Sequence, residues 1–214
     1  MIAIFYLHGG GHADHTRYTA LIKRFSSVGI IGHAFDHHAT TLAGRLDEAE
    51  QEFAKLKSLH NLSDSDIYVW GSSMGGHIAA RLTKTHPDLA GVILQSAAAY
   101  SQAADNIPFG PDFTAELRRE GSWQDSVAFQ DLSKYLGKVC LIYWQHDDVV
   151  PSGVVKMYLD SVGTKVKSLT ISGEGHSMLR PTNDLEQSAW EQMYNHALKF
   201  VRSQCRTASM HDTH

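Results

Sequence analysis

The sequence is poor in cysteine, in long apolar runs and in excess charge, and each shortage excludes a class of protein. Its two cysteines, Cys140 and Cys205, are too few for a disulfide framework and fit a reducing cytoplasm. No apolar run approaches the roughly 20 residues that cross a membrane, and the apolar opening lacks the basic start of a secretory leader. A net charge of −4 supplies no basic patch. We therefore expect neither a membrane nor a nucleic-acid partner.

Histidine, in contrast, is abundant, with 14 in the chain. Several lie close together, at His8, His12 and His15 and in the run from His33 to His38. Zinc sites on helices usually present a His-x-x-x-His pair with a neighbouring glutamate, and no pair of this spacing lies on a predicted helix with a glutamate beside it. The histidines are therefore interpreted as polar loop residues, and we expect no metal.

Strand-like and helix-like segments alternate along the chain. Segments that predict strands cover 2–7, 30–35, 66–70, 91–94, 139–144 and 165–171, and among them 2–7 and 139–144 are the near-continuous apolar runs of buried strands. Apolar residues at helical spacing cover 16–27, 42–59, 74–85, 152–162 and 185–202. This alternation predicts a single-domain, three-layer α/β/α sandwich over 1–202, with a mostly parallel sheet of about six strands. The polar residues 203–214 predict a flexible C-terminal tail.

One segment, 97–131, breaks the alternation. It is long for a plain connection between a strand and a helix, and its aromatic residues Phe109, Phe113 and Trp123 have no helical period. The aromatic side chains favour a small lid over a pocket. A surface excursion with no role is the alternative.

The stretch Gly71-Ser72-Ser73-Met74-Gly75 lies between a predicted strand and a predicted helix. It matches G-x-S-x-G, in which a sharp turn forces the central residue into a strained backbone conformation. Glycines two positions away on either side prevent collisions with the following helix. Only Ser73 has such a pair, because the corresponding neighbours of Ser72 are Trp70 and Met74. The pattern favours Ser73 over Ser72 as the exposed hydroxyl.

Three further loops follow predicted strands. After the first strand, 8–12 read HGGGH, whose glycine N–H groups could stabilise an oxyanion or simply form a turn. After the fifth, 145–151 read QHDDVVP, where a carboxylate lies at the sheet's functional edge or caps a helix. After the sixth, 173–178 read GEGHSM, which places His176 over the same edge or in an ordinary loop.

The order of serine, aspartate and histidine, each after a strand, resembles that of the α/β-hydrolase superfamily over nearly the whole chain. The likeness is to compact carboxylesterases and to the serine aminopeptidase-like group of lipases. The resemblance implies that Ser73 is the nucleophile, Asp147 the acid and His176 the base. The family usually has glycine three residues before the acid, where this chain has Trp144. Asp148 therefore stays open as an alternative acid.

What the resemblance implies is two-step acyl transfer without a metal or organic cofactor, with the N–H groups of Gly10 and Met74 receiving the oxyanion. A small-molecule ester of short to medium acyl chain is the expected substrate, and Arg180 is a candidate for binding a substrate carboxylate. The pocket is predicted from five aromatic residues: Tyr100, Phe109, Phe113, Trp123 and Trp144. A thioesterase, amidase or acyltransferase, a C–C lyase or haloperoxidase, and a binding module without turnover are alternatives. Oligomeric state is left open.

Overall fold

The computed structural model describes residues 1–10, 15–176, 181 and 183–208, with side chains as far as Ser203. Its sheet has six strands, all parallel, in the order β2-β1-β3-β4-β5-β6. The strands are β1 Ile2–Leu7, β2 Ile30–Ala34, β3 Ile67–Ser72, β4 Gly91–Gln95, β5 Val139–His146 and β6 Val166–Glu174. This sheet, flanked by helices, confirms the predicted α/β architecture.

Seven α-helices lie in the described part of the chain. They are α1 Thr19–Ser26, α2 Leu42–His60, α3 Met74–Thr85, α4 Pro111–Arg118, α5 Val127–Lys134, α6 Ser152–Val162 and α7 Asp184–Ala208. Local sequence sets the ends of α2, because the Thr41 side chain caps its N-terminus through the Gly44 N–H, 3.0 Å away. Asn61 ends the same helix in the left-handed conformation, which asparagine tolerates.

The central strands are covered on both faces, which explains their continuous apolar sequence. In β1, Phe5 and Leu7 pack toward the side that holds α2, α3, α5 and α6, and Ile4 and Tyr6 pack toward α1 and α7. All four side chains are fully buried. Because parallel strands end at one edge of the sheet, the loops after β1, β3, β5 and β6 approach one another there.

Two regions differ from the sequence-based expectation. The last helix, α7, continues to Ala208, past its predicted end at Arg202, and 209–214 lie outside the described residues. Residues 127–131, assigned to the insertion, form the start of α5, which packs against α3 and α6 in the main body. The remaining insertion, 97–126, is called the cap below, and it contains a short 3-10 helix, Gln102–Asn106, and α4.

Candidate active site

The turn between β3 and α3 has the strained backbone that its sequence predicts. Ser73 has φ 53° and ψ −117°, a conformation that costs energy in any residue with a side chain. A Cβ atom on Gly71 would lie 2.2 Å from the carbonyl oxygen of Gly75, and one on Gly75 would lie 2.0 Å from the carbonyl oxygen of Leu7. Both positions therefore require glycine, because β3 and the end of β1 approach the first turn of α3 too closely for any side chain.

Backbone hydrogen bonds hold this turn in place. The N–H of Ser73 donates to the carbonyl of Gln95 at 3.0 Å. The carbonyl of Ser73 accepts from the N–H groups of Gly76 and Ala98, both at 2.9 Å. The strain at Ser73 is thus compensated by contacts to β4 and to the start of the cap. Ser72, the alternative serine, is fully buried at the end of β3.

Ser73, His176 and Asp147 form a continuous chain of hydrogen bonds. The hydroxyl Oγ of Ser73 lies 2.9 Å from Nε2 of His176. Nδ1 of His176 lies 3.0 Å from Oδ1 and 2.9 Å from Oδ2 of Asp147. The Asp147 side chain is 5% exposed and that of His176 20% exposed, so the carboxylate is shielded while the imidazole faces the site.

Asp147 is itself fixed by the loop that carries it. Its Oδ1 accepts hydrogen bonds from the N–H groups of Val149 and Val150, each at 2.9 Å. These hydrogen bonds fix the orientation of the carboxylate. Asp148, the alternative acid, lines the same cleft as Asp147 but makes no hydrogen bond to His176 among the described residues. Of the two aspartates, Asp147 is therefore the one that contacts the imidazole of His176.

Two further residues support the histidine loop. Ser96, at the end of β4, has φ 42° and donates from its hydroxyl to the carbonyl of His176 at 2.9 Å. Trp144 lies under Gly175, where a Cβ atom would approach the indole to 2.7 Å. Sequence reasoning missed Ser96, whose only signal is its place after a strand.

The loop after β1 lies against the nucleophile. A Cβ atom on Gly9 would stand 3.1 Å from Cβ and 3.7 Å from Oγ of Ser73, and one on Gly10 would stand 3.3 Å from Cε of Met74. Met74 is the first residue of α3, so its N–H has no carbonyl partner within the helix and is a candidate donor to an oxyanion. The third glycine of the motif, Gly11, lies outside the described residues.

A buried cation and a buried imidazole hold the carbonyl of Gly9, and sequence reasoning missed both. Nδ1 of His8 lies 2.8 Å from this oxygen, and Nη1 of Arg45 lies 3.3 Å from it. Nη1 of Arg45 also lies 3.2 Å from Sδ of Met74. Burial lowers the pKa of both His8 and Arg45. Arg45 comes from the first turn of α2, where its sequence pattern is that of any charged helix residue.

Three of the five predicted pocket residues lie together beside Met74. The rings of Phe109 and Phe113 are 4.9 Å apart, and those of Tyr100 and Phe113 are 5.7 Å apart. Leu42, Met74, Tyr100, Ala104 and Phe113 form one buried cluster. The other two lie elsewhere, because Trp123 packs on Gly153 of α6 and Trp144 supports the histidine loop.

The structure gives a cleft of about 790 Å³ beside Asp147, between β5, β6 and α6. Its lining includes Trp144, His146, Asp148, Lys156 and Glu174 but not Ser73 or His176. In the described residues no three histidine, cysteine or carboxylate side chains are grouped to hold a metal ion. Nor is any described helix both long and apolar enough for a membrane span. Arg180 lies outside the described residues.

A family model described as serine aminopeptidase, S33, matches residues 2–121, which is more than half of the chain. The chain belongs to this family of hydrolases. No curated protein matches the sequence.

Solved structures share the fold at low sequence identity. A monoacylglycerol lipase from Paleococcus ferrophilus is 17% identical, with a TM-score of 0.64, over 91% of this chain and 94% of that one. The Thermogutta terrifontis esterase Est2, bound to propionate, is 14% identical, with a TM-score of 0.69, over 94% and 83%. BpoC of Mycobacterium tuberculosis, titled a putative non-heme bromoperoxidase, is 16% identical, with a TM-score of 0.66, over 95% and 93%. At these identities the likeness describes the fold and leaves the reaction open.

Proposed function

We propose that this protein is a serine hydrolase that cleaves carboxylic esters of short to medium acyl chain through an acyl-enzyme. The observation that supports this most is the 2.9 Å contact between the Ser73 hydroxyl and Nε2 of His176, continued by the two contacts of Nδ1 with Asp147. A hydroxyl is a weak nucleophile unless a positioned base removes its proton, and this chain of contacts provides that base and its orienting carboxylate.

The mechanism follows from these contacts. His176 takes the proton of Ser73 as the oxygen attacks the ester carbonyl, and Asp147 stabilises the resulting imidazolium. The N–H groups of Gly10 and Met74 receive the negative charge on the carbonyl oxygen. His176 returns the proton to the leaving alcohol, and the acyl group stays on Ser73. Water, deprotonated by His176, then releases the acid.

The apolar cluster of Leu42, Met74, Tyr100, Ala104 and Phe113 supports an acyl chain as the bound group, because it adjoins the residue after the nucleophile. The family is described as serine aminopeptidases, and an aminopeptidase would have to bind an α-ammonium group. The buried charge beside Gly9 is the guanidinium of Arg45, a cation that disfavours a second cation nearby. The charge pattern therefore favours an ester over an amino-terminal peptide.

The nucleophile is tested with a fluorophosphonate probe. We expect labelling of the wild type and of Ser72→Ala, and no labelling of Ser73→Ala, whose ester turnover should fall by about 10⁴-fold or more. The Ser72→Ala protein is the matched control because the two serines are adjacent. Equal labelling of Ser73→Ala and wild type would refute the assignment.

The substrate class is tested with p-nitrophenyl esters of increasing acyl length, one acyl thioester and one amino-acid p-nitroanilide. We expect the largest kcat/KM for a short or medium ester and loss of turnover in His176→Ala. A preference for the thioester or anilide would change the substrate class while keeping the nucleophile. Near-zero rates throughout would favour a binding module.

We also propose a cytoplasmic location and a small-molecule substrate. Cys140 is a buried free thiol, which fits a reducing compartment. Cell fractionation that recovers the protein outside the cytoplasm would contradict this location.

A further inference from the structure

The carbonyl oxygen of Gly9 receives two side-chain donors from behind the candidate oxyanion site. His8 Nδ1 lies 2.8 Å from it and Arg45 Nη1 lies 3.3 Å from it. The tautomer of His8 follows from its other contact, because Nε2 accepts from the backbone N–H of His37 at 3.4 Å. Burial keeps this imidazole neutral, so its single proton is on Nδ1 and is donated to Gly9.

The peptide bond from Gly9 to Gly10 is trans and planar, so its C=O and N–H point in opposite directions. Donors that hold the Gly9 oxygen on one side therefore aim the Gly10 N–H toward the other. Gly9 packs directly on the Ser73 side chain. The two donors thus control the direction of the N–H group to which the proposed function assigns half of the oxyanion site.

Arg45 acts on the second donor as well. Its Nη1 also contacts Sδ of Met74, the residue whose N–H completes the oxyanion site. Its guanidinium lies 4.6 Å from the centre of the Phe109 ring, which places the cation between the Gly9–Gly10 peptide and the cap. Arg45 is only 6% exposed, and its buried Nε has no hydrogen-bond partner among the residues that the structure describes. A charged side chain is costly to bury in this state, which indicates a role beyond packing.

We propose that Arg45 is a positioning residue for the oxyanion site, holding the Gly9–Gly10 peptide and the Met74 side chain so that both N–H donors face the reacting carbonyl. This rests on the proposed esterase function. Interactions that are realised only in the transition state change kcat and leave KM nearly unchanged. Loss of one oxyanion donor costs about 100- to 1000-fold in rate, and we expect misdirection of a donor to cost less, about 10- to 100-fold.

The test compares Arg45→Met, Arg45→Lys and the control Arg24→Met with the wild type. Arg24 is an arginine of α1 that pairs with Glu191 on the opposite face of the sheet. Fluorophosphonate titration counts the competent sites of each protein. The assays are kcat and KM for a neutral p-nitrophenyl ester and the Ki of an alkyl trifluoromethyl ketone, whose adduct with Ser73 carries an oxyanion.

In Arg45→Met we expect kcat to fall about 10- to 100-fold and Ki to rise by the same factor, with KM within threefold of wild type. Lysine keeps one cationic donor, so Arg45→Lys should lose less, with kcat and Ki again changing together. Arg24→Met should match the wild type. If Arg45→Met fails to fold, Arg45→Lys takes its place in the test. A parallel change of kcat and Ki in Arg45→Lys supports the proposal, and unchanged values contradict it.

A folded Arg45→Met protein with wild-type kcat and Ki would overturn the proposal. A raised KM at unchanged kcat would also overturn it, because Arg45 would then bind the substrate itself. Absence of Ser73-dependent turnover in the wild type is a different failure, because it removes the proposed function before any variant is compared.

Discussion

The strand-end loops and the cap are held in different ways. Ser73 and Asp147 follow their strands directly, and backbone N–H and C=O groups hold the Ser73 turn and the Asp147 carboxylate. The cap has backbone hydrogen bonds at Ala98 and Phe109, and it depends further on side chains, through the ion pair of Arg81 with Asp105 at 2.8 Å and the packing of its aromatic rings. The difference teaches that backbone geometry positions the candidate catalytic residues, whereas side-chain packing, which tolerates substitution, shapes the proposed acyl site.

The largest expected effect comes from the strand-end loops. In Asp147→Asn the amide cannot hold His176 in the productive tautomer, so we expect kcat to fall by about 10⁴-fold with little change in KM. The reason is that Nδ1 of His176 lies 2.9 Å from this carboxylate. Kinetics with a short p-nitrophenyl ester measures the loss.

The adjacent carboxylate is the matched control. Asp148→Asn removes the same charge one residue away, where the side chain lines the cleft and does not reach His176. Its kcat should stay within about threefold of wild type. If Asp148→Asn were the more damaged of the two, Asp148 would be the acid and the short contacts of Asp147 would have another purpose.

The strand-end loops were also the easier region to predict. Strand-like segments that alternate with helical ones predict the strands, the rule for parallel sheets brings their carboxyl ends together, and the glycines around Ser73 identify the turn. These are local signals, because each depends on a few consecutive residues. The convergence of the three side chains therefore follows from the sequence, whereas their catalytic roles stay predictions.

The rest depends on contacts between distant segments. The aromatic residues of 97–131 predict burial but not the element that buries them. The sequence therefore does not distinguish Trp123, which packs on α6, from Phe113, which packs beside Met74. The polar supports of the site have no signal of their own, since Arg45 resembles a solvated helix residue. The helix α5 was missed because its pattern spans only two turns.

His77 tests the junction between the two regions. This α3 residue is fully buried, its ring stands edge-on to Tyr100 of the cap at 5.1 Å, and within the described part of the chain its Nε2 has no hydrogen-bond partner. Burial, with a smaller contribution from the charge of Arg81, lowers the pKa of His77 to about 3. An unfolded histidine has a pKa of about 6.5. Between these values only the unfolded chain binds the proton, so acid favours unfolding.

The contribution of His77 to stability is therefore complete above about pH 6.5 and is lost as the pH falls toward 3. From pH 7.5 to 5.0 we expect this group to lower the free energy of unfolding by about 2 kcal/mol, measured in urea. Over this pH interval the free energy of unfolding of His77→Leu should therefore fall less than that of the wild type. The exposed control His146→Leu should follow the wild type, and equal acid sensitivity of His77→Leu and wild type would contradict the assignment.

The smallest expected effect comes from the cap alone. Phe113 is 5% exposed and contacts Phe109 and Tyr100, so Phe113→Ala opens the proposed acyl site without touching the strand-end loops. We expect KM for a p-nitrophenyl ester with an acyl chain of six or eight carbons to rise about fivefold, because about three methylenes of the chain lose part of their contact. KM for p-nitrophenyl acetate should stay near the wild-type value.

Phe129→Ala is the control, since Phe129 is equally buried but packs on Tyr158 in the main core. It should lower the Tm by roughly 10 °C without changing the preference for acyl length. A Phe113→Ala protein that treats all acyl lengths as the wild type does would separate the cap from substrate binding and leave it a purely structural layer.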